Sequence, residues 1–133
     1  VEIQAGVVWR DLVSGLVATG RRWEADGWAW ACTGTVAASV LAPYLTTVGT
    51  ALVYVSAETI AELEAVLRAA DLESIEGGRL RLRPFPTVAV PRFSTDQGGL
   101  HIAPWPRVYA DLRPTGVRGE EAAEHLREAM RDD

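Results

Sequence analysis

The chain contains no lysine and no asparagine, and it has one cysteine and two histidines. Each shortage excludes something. Cys32 has no partner for an internal disulfide. A cysteine nucleophile needs a histidine beside it, and neither His101 nor His125 stands in a hydrolase motif. One cysteine and two distant histidines do not match the ligand spacing of a zinc site. Cys32 lies among Trp28, Trp30 and Ala31, so it reads as a small buried apolar residue. Long apolar runs are missing too. Val36–Leu41 and Ala51–Val55 fall far short of the ~20 residues that cross a bilayer. No basic start leads into an apolar run with a small-residue cleavage site. The reading is a soluble, cytoplasmic protein with no membrane partner. Its oligomeric state is not legible.

Positive charge is also scarce. Thirteen arginines face eighteen acidic residues, a net charge of −5, and this opposes strong nucleic-acid binding, which depends on neutralising phosphates. What the chain does have is core material. Its hydrophobic fraction is 48%, inside the roughly 45–50% of ordinary soluble domains, and its 133 residues suit one domain.

The periodicities predict an alternation of elements. Val8, Leu12 and Leu16 mark an amphipathic helix over Val8–Thr19 that Gly20 stops. Trp28–Cys32 reads as a buried strand, and Val36–Leu41 as a helix of small residues ended near Pro43. Ala51–Val55 is continuously apolar and is expected at the centre of a sheet. Ser56 is expected to cap a helix carrying Ile60, Leu63, Leu67 and Ala70. In Arg79–Arg83, Leu80 and Leu82 alternate with arginine, as in a half-buried strand. Thr87–Phe93 and Leu100–Ala103 are expected as two more strands, joined through Asp96-Gln97-Gly98-Gly99. Pro104 and Pro106 open a helix with Trp105, Val108, Tyr109 and Leu112. A last helix from near Gly119 carries Ala122, Leu126 and Met130. The fold class predicted is α/β, or α+β, with a mixed sheet and flanking helices.

Several groups of residues invite a chemical reading. Thr33-Gly34-Thr35 forms a strand-to-helix turn of the kind that points backbone N–H groups at an anion. The same turn also serves as a plain connection, and that is the commoner case. Metal-assisted nucleotidyl transfer needs two carboxylates one residue apart on the next strand to hold Mg²⁺. That strand offers Tyr54 and Ser56 instead, with no carboxylate before Glu58. No catalytic residues, metal ligands or cofactor are assigned. Arg79, Arg81 and Arg83, with Arg92 on a neighbouring strand, form either a phosphate-binding stripe or a solvated face paired with Glu73 and Glu76. Trp105, Arg107 and Tyr109 are candidates for a partner surface. His101 is expected to face solvent or a crevice rim. Asp111 is expected on a helix surface or capping the loop at Thr115–Arg118.

The stretch Gly99–Leu112, with Pro104 ahead of Val108-Tyr109-Ala110-Asp111-Leu112, followed by Gly119-Glu120-Glu121-Ala122 and the helix to Leu126, resembles the C-terminal part of AbiEi-type antitoxins. These are regulators of type IV toxin–antitoxin systems. Thr33–Ala38 and Ala51–Val55 are similar to the middle section of the same family, so the likeness spans roughly residues 8–131. The resemblance implies a nucleotidyltransferase-like or antitoxin-type sandwich and a cognate toxin as partner. It also implies operator DNA bound through a preceding winged-helix domain, of which residues 1–7 would be the end and Val1–Gly6 the last strand. No DNA-reading helix lies within these residues. The reading is a non-catalytic regulatory domain. The alternatives are a divergent nucleotidyltransferase using nucleotide and Mg²⁺, with Glu58 and Asp111 as its acids, and a nucleic-acid module built on the arginine strand.

Overall fold

The apolar alternation of the sequence becomes a six-stranded mixed sheet with helices on both faces. A computed structural model describes residues 1–43 and 48–131. The elements are β1 (Ile3–Ala5), α1 (Leu12–Ala25), β2 (Trp30–Thr33), α2 (Gly34–Leu41), β3 (Ala51–Val55), α3 (Ile60–Ala69), β4 (Leu80–Pro84), α4 (Ala89–Arg92), β5 (Thr95–Gln97), β6 (Leu100–Ile102), α5 (Trp105–Leu112) and α6 (Val117–Arg131). The strands lie in the order β1-β4-β3-β2-β6-β5. The pairs β3–β4 and β2–β6 are parallel, and the other three are antiparallel. Ala51–Val55 is central, as its unbroken apolar run predicts.

One face of the sheet is covered by α1 and α3, the other by α2, α5 and α6. The period of two along β2 divides its side chains between them. Trp30 and Cys32 point toward α1, whereas Ala31 and Thr33 point toward α2 and α5. The centre of the first face is Trp23, which is fully buried. Its indole N–H donates to the Val66 carbonyl at 2.9 Å, tying α1 to α3. Its ring meets Trp30 edge-on, 5.9 Å between centroids. Truncating a buried tryptophan of this kind costs about 3–5 kcal/mol.

Four expectations need correction. The first helix begins later and runs further than Val8–Thr19. Asp11 caps it by accepting from the Val13 and Ser14 amides at 2.9 and 3.4 Å, and Val8 stands outside it, 99% exposed. Gly20 lies within this helix and does not stop it, because the Trp30 ring packs where a Cβ would stand. Ser56 does not cap α3. Thr59 does, accepting from the Glu62 amide, while the Ser56 hydroxyl accepts from the Ala29 amide across the sheet. Thr87–Phe93 is not a strand but contains the short helix α4. Pro91 has no amide to give a ladder but is tolerated in a first helical turn. At the sheet's edge, Ile3–Ala5 runs antiparallel to β4. Ile3 and Ala5 are buried on the α3 side, so this segment is part of the core.

Candidate functional site

The most polar part of the interior lies between the β2–α2 turn and α5. Gly34 has φ +66°, a left-handed conformation that glycine adopts without strain, and it turns the chain directly from β2 into α2. Thr33, at the helix start, is fully buried and makes no capping bond. Its hydroxyl donates instead to the Asp111 carboxylate at 2.7 Å. Tyr54 lies opposite Ala31 in the antiparallel β2–β3 pair and shares that face, and its hydroxyl donates to the same carboxylate oxygen at 2.6 Å. Arg107 stands four residues before Asp111 on α5, one helical turn away, and reaches its other oxygen at 2.9 Å. The Asp111 side chain is 7% exposed.

The chemistry follows from this arrangement. Two hydroxyls and a guanidinium converge on one carboxylate, so both hydroxyl protons are engaged and neither oxygen faces open solvent. Burial raises the Tyr54 phenol well above its usual range, and the hydrogen bond to Asp111 raises it further. Burial alone would lower the Arg107 guanidinium, but Asp111 outweighs that and raises it. Asp111 is therefore neither a helix-surface residue nor a cap for Thr115–Arg118. It locks α5 to β2 and β3, and it sits beside the Thr33-Gly34-Thr35 turn. Glu58, proposed as its catalytic companion, is exposed, and its backbone amide donates to Glu62 at 3.3 Å. Among the described residues no group of three or more His, Cys, Asp and Glu clusters to hold a metal ion.

The arginine stripe is divided by its partners. Arg79 donates to the Gly49 and Trp9 carbonyls, both at 3.2 Å. Arg83 pairs with Glu2 at 2.6 Å, and not with Glu73 or Glu76 as expected. Burial would raise the Glu2 carboxyl, but the bonds from Gln4 and Arg83 hold it below its ordinary value. Arg81 has neither a hydrogen bond nor an ion pair among the described residues, and its Nε is buried. Arg92 is on α4 instead of a neighbouring strand, beside the Phe93 ring.

The three residues proposed as a partner surface are separated in role. Arg107 turns inward to Asp111, the Tyr109 hydroxyl donates to Glu124 on α6 at 2.9 Å, and Trp105 is half-buried. His101 is half-buried, 2.7 Å from Glu24 and 3.3 Å from Asp96. Cys32 is fully buried, and loss of solvent pushes its thiol up to about 12, the state of an inert thiol. Sequence reasoning missed the convergence on Asp111 and the role of Glu2. Separations of 78 and 57 residues leave no periodic signal.

Compared with protein families, with curated proteins and with solved structures, the chain matches none.

Proposed function

We propose that this chain is a regulatory domain of the antitoxin type, acting in the cytoplasm by binding a cognate toxin and performing no turnover. The observation that carries the reading is the state of Asp111. Nucleotidyl transfer needs carboxylate oxygens free to hold Mg²⁺ against a triphosphate. The carboxylate nearest the Gly34 turn instead accepts from Thr33, Tyr54 and Arg107. The adjacent strand presents the Tyr54 hydroxyl, itself bonded, where a second acid would be needed. Such an arrangement suits a rigid scaffold. Operator DNA enters this proposal through a separate winged-helix domain.

Two measurements test it. Cells arrested by the toxin encoded beside this chain should resume growth when the chain is co-expressed. The purified protein, given Mg²⁺, labelled nucleoside triphosphates and tRNA, should transfer no label. Transfer that disappears in Asp111→Asn would sink the proposal.

A further inference from the structure

The helical layer formed by α2 and α5 lies over β2 and β3. On the same face, β4 and β1 carry polar side chains. Arg81 and Arg83 stand opposite Leu52 and Tyr54 of β3, and Arg81 stands opposite Gln4 of β1. Neighbouring strands are about 4.8 Å apart and alternate residues roughly 6.6 Å apart, so Arg81 and Arg83 project side by side. Arg107 joins the group from α5, since it bonds the Asp111 carboxylate that also accepts from Tyr54, and Tyr54 stands opposite Arg83.

The charges here do not balance. Three guanidiniums face two carboxylates, Glu2 and Asp111, in a chain whose net charge is −5. Glu2 is bonded to Arg83 and Gln4, and Asp111 to Arg107 and two hydroxyls. Gln4 adds no charge, and its side-chain carbonyl accepts from the Gly77 amide at 2.6 Å. The Nε atoms of Arg81 and Arg107 are buried with no hydrogen-bond partner. A half-buried guanidinium has lost part of its hydration, and Arg81 feels Glu2 only through space, with no hydrogen bond or close ion pair among the described residues in return.

We infer that Arg81, Arg83 and Arg107 form a seat for a compact phosphate-type oxyanion, either free phosphate or the phosphate group of a small ligand. Arg81 supplies an unengaged planar fork, and Arg83 and Arg107 supply the guanidinium nitrogens that their carboxylates leave free. Tyr54 gives no proton to the anion, because its hydroxyl is bonded to Asp111. It acts as a positioning residue. The partly buried heads of these arginines favour a small anion over the backbone of a duplex.

The test is calorimetric titration of the whole chain with inorganic phosphate, with methyl phosphate and with duplex DNA, at ionic strength matched with sodium chloride. Saturable phosphate or methyl phosphate binding is expected, and the tighter of the two identifies the source. Arg81→Gln should weaken it about tenfold or more, since a charge-assisted hydrogen bond is lost. Arg118→Gln, an exposed arginine elsewhere, should leave it unchanged. In the unsubstituted protein the Nε–H signals of Arg81, Arg83 and Arg107 should shift with phosphate, a readout independent of how any variant folds. No saturation by either phosphate, binding by duplex alone, wild-type affinity in Arg81→Gln, or unmoved Nε–H signals would each overturn the seat.

Discussion

Replacing Asp111 with alanine removes the one acceptor that the Thr33 and Tyr54 hydroxyls have among the described residues. Thr33 is fully buried and Tyr54 is 4% exposed, so water does not readily replace the lost partner. Each stranded hydroxyl costs about 1–3 kcal/mol. Arg107 is 36% exposed and can swing toward solvent, so its lost ion pair adds little beyond the surface range of about 0–1 kcal/mol. The expected sum is about 2–7 kcal/mol, a large share of the roughly 5–15 kcal/mol by which domains are stable. Tyr54→Phe alone should cost only about 1 kcal/mol, because Asp111 keeps two other donors. The informative variant is the double substitution. Once Asp111 is gone, Tyr54→Phe removes a stranded hydroxyl and should be neutral or stabilising, so the effect of one substitution reverses with the presence of the other. Urea unfolding of the wild type, both single variants and the double variant measures this, with unchanged m-values confirming the same transition. If Asp111→Ala costs under about 1 kcal/mol, as at an ordinary surface site, or if the two substitutions add, the reasoning about the buried network is refuted.

Two further perturbations follow from the core. Gly20→Ala should destabilise by about 1–3 kcal/mol, although alanine is the better helix former by up to about 1 kcal/mol, because the new methyl overlaps the Trp30 ring. A raised melting temperature with unchanged tryptophan fluorescence would contradict it. The Cys32 thiol titrates near 9.0 in the unfolded chain and at about 12 when folded. The raised folded value means that its contribution is complete below pH 9 and is lost as pH climbs from about 9 to about 12. Cys32→Ala should therefore flatten the alkaline fall in stability, and an identical slope in both proteins would refute the assignment.

Much of the fold is legible in residue order because short-range physics writes it there. The unbroken run Ala51–Val55, the Leu80/Leu82 alternation, the Gly98-Gly99 turn and the prolines at 104 and 106 all report conformations set by immediate neighbours. The burial of Cys32 was readable for the same reason.

What residue order could not settle was every choice made by a distant partner. Gly20 reads as a helix stop until Trp30 is seen packed on it. Arg79, Arg81 and Arg83 look equivalent in a strand, yet one meets backbone carbonyls, one makes no hydrogen bond among the described residues, and one bonds Glu2 across the sheet. Asp111 looks like any acid on a helix, and only the folding of α5 over β2 and β3 brings it to Thr33 and Tyr54. Local sequence determined where strands and helices form, because steric preference and apolar periodicity act within a few residues. Tertiary structure decided which polar groups are dehydrated and what they bond to, since burial and pairing depend on chain segments that meet only when the sheet closes.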